Sequence, residues 1–186
     1  MVNRISLYVN VTKTTYSPMG FISDPRYISI FANMNEQDRE RVLIGFVRYL
    51  TITMKKMLKQ SIKKQYYVRY WEPLSHNYLK FKREHGLSEN IWEATGKLVN
   101  SISYRRQGNK FVIGIPKNVK YSNGVSVQYV AKCMEFGTKN MPARPLFNPV
   151  IRYIKRHIRT YWELYLLNPR KYLNSRLSKI VENRWR

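Results

Sequence analysis

Between Asn35 and Gln65 the apolar side chains Leu43, Phe46, Val47, Leu50, Met54, Met57, Leu58 and Ile62 recur three and four residues apart. That period puts them on one side of an α-helix. Asn35 is placed to cap it, and Glu36 and Asp38 fall in the first turn, where acids complement the helix dipole. The spacing predicts a helix over about 36–65, roughly 45 Å long. Whatever fold the chain takes must cover that stripe. The other side of the helix carries Arg48, Lys55, Lys59 and Lys63, flanked by Lys56 and Lys64.

Upstream, Ile5, Leu7, Val9 and Val11 alternate with other residues in the period of a strand, and Ser17, Pro18 and Gly20 then form turns. A strand followed by an irregular arm is expected over 1–35. Downstream, Ser75 reads as a cap with Leu74 and Leu79 as a hydrophobic staple and Gly86 as the stop. The same grammar predicts a second short helix, with Ser88 as cap, Leu87 and Trp92 as staple and Gly96 at its end. SISYRR, a Gly108-Asn109 turn and KFVIGI form a plausible hairpin, and Asn123-Gly124 marks a further turn. Residues 125–136 are ambiguous and could begin extended and finish as a helical turn.

Pro145 is placed to open a last long helix, with Phe147, Val150, Ile151, Ile154, Ile158, Tyr161, Trp162 and Tyr165 as its apolar stripe and Asn168-Pro169 as its end. A final stretch, 172–184, has Leu173, Leu177, Ile180 and Val181 at helical spacing and is rich in Lys and Arg. The expected fold is α+β: a small antiparallel sheet packed against two long helices, with short helices between them and extended terminal arms. Three regions follow, an N-terminal strand and arm (1–35), an α+β domain (36–168) and a basic C-terminal helical tail (169–186).

Charge limits the neighbours. With 34 Lys and Arg against 11 Asp and Glu, the chain carries +23 over 186 residues, which repels its own copies and attracts nucleic acid, acidic protein faces or anionic lipid. The lone Cys133 excludes an intrachain disulfide framework and fits a reducing compartment. The apolar run 42–47 is far too short to span a membrane, and the opening MVNRISLYVNV lacks the apolar centre of a signal peptide.

No catalytic constellation is expected. Gly96-Lys97 lacks the preceding glycine of a phosphate loop. His76, His85 and His157 are scattered and read as surface or capping residues, and no metal or cofactor is expected. Glu84, Glu89 and Glu93 are the nearest approach to a carboxylate cluster of the kind a metal-dependent nuclease would need. Their ordinary reading is as acids complementing helix ends and pairing with lysines. Cys133, with no histidine nearby in sequence, reads as a buried thiol.

Two basic stripes are candidates for facing DNA or an acidic partner. Arg152, Lys155, Arg156 and Arg159 share one face of the last helix, and Lys55, Lys59 and Lys63 share one of the first. The 15 tyrosines fall mostly on stripes with Leu and Ile, which favours packing over base stacking. With no base-reading motif present, any nucleic acid is touched through phosphate and charge.

Two further segments are more specific. The first runs Trp71-Glu72-Pro73-Leu74-Ser75, Tyr78, Lys82, Gly86, Ile91-Trp92, Thr95-Gly96-Lys97-Leu98 and Ser101-Ile102; the second runs Tyr129-Val130-Ala131, Glu135-Phe136-Gly137-Thr138 and Met141-Pro142-Ala143-Arg144-Pro145, with Pro149. Over about 71–151 the chain resembles the virion morphogenesis and tail-completion proteins of long-tailed bacteriophages. The resemblance implies a non-enzymatic neck protein acting as a ring of its own copies around the DNA channel. The implied partners are head-side connector or portal-associated proteins, tail terminator or tail tube proteins, and DNA by charge alone, with no membrane. Its place would be the virion neck, after assembly in the host cytoplasm.

The turn at Phe136-Gly137-Thr138 leads into the stiff Pro142-Ala143-Arg144-Pro145, which holds Arg144 in a fixed direction. Its fork suits Glu135, an acid on a neighbouring subunit, or a tie within its own loop. Trp71, Pro73, Leu74, Thr95, Gly96 and Leu98 read as fold-forming. The arm to Asn35 and the tail after Pro169 have no counterpart in the family. The rival readings are a free, sequence-independent nucleic-acid-binding protein and the metal-dependent nuclease.

Overall fold

The computed structural model describes residues 7–10, 34–108 and 110–168. The arm over 11–33, Asn109 of the hairpin turn and the basic tail over 169–186 lie outside the described residues. The architecture is α+β.

Helix α1 (Glu36–Lys63) is capped by Asn35, whose side chain accepts from the Asp38 N–H at 2.8 Å. Its buried side chains Val42, Phe46, Leu50, Met54, Leu58 and Ile62 follow the stripe that the sequence carries. A 3-10 turn (Val68–Tyr70) leads to α2 (His76–Glu84), capped by Ser75. After an irregular stretch come α3 (Lys97–Ser101), then β2 (Ser103–Gln107) and β3 (Lys110–Gly114). Three further helices follow: α4 (Val127–Phe136), α5 (Phe147–Arg156) and α6 (Ile158–Leu167).

Strand β1 (Leu7–Asn10) completes a three-stranded antiparallel sheet in the order β1-β3-β2, with Leu7 opposite Ile113 and Gln107 opposite Lys110. The central strand buries Phe111, Val112 and Ile113 in succession, as a strand covered on both faces does.

The sheet and the two last helices cover different flanks of α1. The Lys55 ammonium lies 5.8 Å from the ring centre of Tyr104 on β2. Two residues on, Met57 sulfur accepts from the Tyr161 hydroxyl of α6 at 3.6 Å. Residues two apart on a helix point about 200° apart. At the far end Phe46 meets the Trp162 ring edge-on at 4.7 Å between centroids, and Tyr165 donates to the Val42 carbonyl at 3.0 Å. Helix α6 therefore runs antiparallel to α1, from the level of Met57 toward Val42.

Three expectations need correction. The second short helix, 89–95, does not form. Trp92 adopts φ +69°, and the Asn90 carbonyl, which a helix would use internally, accepts from the Lys82 ammonium at 2.8 Å, as the Glu93 carbonyl does at 2.7 Å. Gly96, expected to end a helix, instead precedes α3 at φ +75°. The last long helix is two helices broken at His157 (φ −107°, ψ 21°), whose Nδ1 lies 2.9 Å from the Tyr153 carbonyl oxygen and whose ring stacks on Tyr153. The ambiguous stretch 125–136 resolves as α4, capped by Ser126.

Candidate interaction site

The two segments singled out in the sequence meet in space. The Trp71 indole donates to the Pro145 carbonyl at 2.9 Å, and Arg144 returns the tie, its Nε donating to the Glu72 carbonyl at 2.7 Å and its Nη2 to the Pro73 carbonyl at 2.9 Å. The Trp92 indole donates to the Arg144 carbonyl at 2.8 Å, and the Arg144 N–H donates to the Met134 carbonyl at 2.7 Å. Arg144 is only 4% exposed, and burial lowers its pKa from the ordinary arginine value. Its charge is met by carbonyl dipoles and by the nearby Glu72 carboxylate, and it ties loops of its own chain.

Glu135 is not its partner. The Glu135 carboxylate accepts from the backbone N–H groups of Leu146, Phe147 and Asn148 at 2.7, 3.0 and 3.0 Å, so it caps α5 from another helix. These are donors that a helix start leaves unsatisfied, and the negative charge also meets the positive end of the helix dipole. Sequence reasoning missed this role. The only signal for it was an acid standing with Glu163 alone among the twelve bases of 102–168.

Between Glu135 and Arg144 the chain folds back on itself. The Thr138 N–H donates to the Met141 carbonyl at 2.8 Å, and Thr138 Oγ1 accepts from the Asn140 N–H. Gly137 sits at φ +75°, and a Cβ there would stand 2.9 Å from both the Ala143 nitrogen and the Met141 oxygen. The glycine is required twice over, by its dihedral and by the close approach of backbone. Phe136, just before it, is 50% exposed.

The remaining motif residues serve the fold in similar ways. Ser75 caps α2, Thr95 Oγ1 accepts from the Lys97 N–H, and Leu98 is buried in the core. Leu74 is half-buried against the core, while Pro142 and Ala143 are exposed. Lys82 is 2% exposed, with its ammonium over the Tyr78 ring and on the two carbonyls of the 90–93 turn. Burial lowers its pKa, partly offset by Glu93 and Glu89. Gln65 makes the matching tie beyond α1, its side-chain amide bonding both the N–H and the carbonyl of Ile91.

Beside the clasp lies a groove of about 630 Å³. Its walls are α2, the 91–94 turn, α4 and the 140–142 loop, and its apolar lining includes Leu74, Trp92, Val130 and Met141, with Tyr78 and Tyr129 at the surface. Tyr129 is 62% exposed. Cys133, expected to be buried, lines this groove half-exposed, and its contact with the Tyr129 hydroxyl raises the tyrosine pKa.

The basic candidates lie on three helices, because the break at His157 separates Arg159 from the other three residues of the stripe expected on one face. Arg152, Lys155 and Arg156 are exposed on α5, and Arg159 is exposed on α6, 3.4 Å from Glu163. Lys55 leaves α1 on the sheet side, over Tyr104, and Lys59 and Lys63 follow it at four-residue spacing. Burial first, and then the like charges of Lys55 and Lys63, lower the Lys59 pKa. Of the three acids weighed for a metal, Glu89 pairs with Arg83 through two hydrogen bonds of 2.9 Å, Glu84 stands 3.9 Å from Lys80, and Glu93 accepts from Asn90. Among the described residues no group of three or more His, Cys, Asp or Glu is placed to hold a metal ion.

No protein-family model, curated protein or solved structure matches the chain. Among the described residues, no helix is long and apolar enough to cross a membrane.

Proposed function

We propose that this chain is a structural subunit of a long-tailed bacteriophage virion, a neck or tail-completion protein that connects head and tail around the DNA channel as a ring of its own copies. The observation that carries this reading is the clasp. The two segments that resemble the tail-completion family, some 70 residues apart, interlock through Trp71, Trp92 and Arg144. These motif side chains are engaged with backbone, as suits a rigid part of an assembly.

The one-signed surface supports the reading from another direction. Copies carrying +23 crowd together only where polyanions or acidic faces offset their repulsion. A DNA channel and acidic neighbouring rings offer both. Connector or portal-associated proteins on the head side, and terminator or tube proteins on the tail side, are the expected neighbours.

Electron microscopy of particles made after disruption of the gene tests this. Filled heads beside tails of normal length that fail to join are the expected result. Tails of wrong length would move the protein to tail termination, and normal infectious virions would overturn the reading. Replacing Arg152, Lys155, Arg156 and Arg159 by Ser should reduce the salt slope of DNA binding by up to about 3–4 while leaving the fold intact. An unchanged slope would remove DNA from these four residues.

A further inference from the structure

We infer that the groove beside the clasp seats the basic segment 172–184 of a neighbouring copy of this chain, apolar side inward. The inference rests on the ring reading above and deepens it by naming one contact between subunits.

The groove is apolar and open, and one of its walls comes from a stretch of the chain with no net charge. Within 71–101, Glu72, Glu84, Glu89 and Glu93 equal in number Lys80, Lys82, Arg83 and Lys97. The other 155 residues carry seven acids against thirty bases. Glu72 and Glu93 line the groove itself, and the two cations beside them, Lys82 and Arg144, are held on backbone carbonyls. The lining thus balances two acids against two cations, so a basic segment meets no net repulsion from it. The segment 172–184 suits it, because Leu173, Leu177, Ile180 and Val181 recur at helical spacing, and 169–186 carries six bases against Glu182.

The direction of α6 decides between the same copy and a neighbour. The groove lies beyond the C-terminal end of α1, where Gln65 holds Ile91. Helix α6 runs the other way, reaching Val42 at Tyr165. Val42 and Ile62 are about 30 Å apart along α1. The five residues from Asn168 to Leu173 span at most about 18 Å even when fully extended. The whole apolar stripe of a tail therefore cannot lie in its own groove. Placed in the next copy's groove it makes a head-to-tail contact, the kind that closes into rings.

Cys133 supplies the test, since it is the only cysteine and lines the groove. Full-length copies carrying Cys133→Ser and Leu177→Cys are mixed with copies keeping Cys133 alone, at the highest soluble concentration, and treated with a short bismaleimide. A cross-linked dimer of unlike copies, absent when either is treated alone, is expected. Adding Tyr129→Arg to the Cys133 copy should cut its yield at least about tenfold with no change in melting, because that side chain is mostly exposed.

No cross-link between copies whose melting shows them folded overturns the inference. So does a cross-link within single copies carrying both thiols. A ring seen by mass with no cross-link overturns this contact and leaves the neck reading standing. Joined virions made without the gene overturn the neck reading, whatever the cross-link shows.

Discussion

Trp71 and Arg144 hold each other's segment: the indole donates to the carbonyl that follows Arg144, and the guanidinium donates to the two carbonyls that follow Trp71. The tie is reciprocal, so neither segment shifts without breaking bonds made by the other. It closes a loop of about 70 residues, whose ordering entropy must be met by contacts of this kind.

Arg144→Ala should lower stability by about 3 kcal/mol, because two charge-assisted hydrogen bonds to backbone carbonyls are lost together with the packing of a buried side chain. Arg144→Lys keeps the charge without the fork and should lose roughly half as much. Urea unfolding monitored by tryptophan fluorescence measures both. A loss below about 1 kcal/mol for the alanine variant would show that the clasp contributes little.

Glu135→Ala removes the acceptor of three helix-start N–H groups and should cost about 2–4 kcal/mol, with Glu135→Gln costing less. Hydrogen exchange gives the local reading. The amides of Leu146, Phe147 and Asn148 should exchange faster in both variants, and unchanged protection would refute the cap.

Gly137→Ala sets a dihedral penalty beside a clash with backbone, whereas Gly124→Ala, at φ +80° with nothing within 4 Å, carries the dihedral penalty alone. The expected losses are about 3–4 kcal/mol at Gly137 and about 1–2 kcal/mol at Gly124. Thermal melts of the pair that coincide would disprove the crowding.

Tyr165 governs part of the alkaline stability. Burial pushes its hydroxyl far above the ordinary 10.0, so the native state keeps a proton that the unfolded chain releases. The stabilisation is complete below about pH 10 and is lost as pH rises from there toward the raised native value. Tyr67, Tyr121 and Tyr161 are raised as well, so a single variant must isolate the effect. Tyr165→Phe should cost about 1 kcal/mol near neutrality, through the lost bond to Val42, and that deficit should shrink above about pH 10. A deficit that stays constant from about pH 8 to 12 would contradict the assignment.

Where caps and stripes were local, the chain could be read directly. Asn35 and Ser75 cap as their spacing implies, and 42–62 buries the side that its period marks. The failures share one cause, distant groups claiming backbone that local grammar assigns elsewhere. Ser88 does turn the chain, accepting from the Asn90 N–H, but Lys82 then takes the Asn90 carbonyl that a helix would need. Nothing in the even stripe from Val150 to Tyr165 marks His157 as a break, since neither Gly nor Pro stands there. Glu135 and Arg144 looked like partners because they are close in sequence and opposite in charge, yet each found backbone instead. The basic residues of α5 and α6 were legible as exposed, whereas Lys82 and Arg144 are buried and Lys55 and Lys59 are partly covered.

Because Arg144 donates to carbonyls, which every residue possesses, its hydrogen bonds do not depend on which side chains stand at positions 72 and 73, although the Glu72 charge favours the guanidinium. Substitutions there can accumulate through evolution with no answering change at 144, whereas a change at 144 has no compensating substitution at 72 or 73. The contact would leave one invariant column and two drifting ones, with no correlated pair between them. Methods that infer proximity from co-varying positions would pass over it. A search for distant relatives of this chain is better served by weighting a fixed arginine between alanine and proline, with a tryptophan some 70 residues before it, than by the residues those two side chains touch.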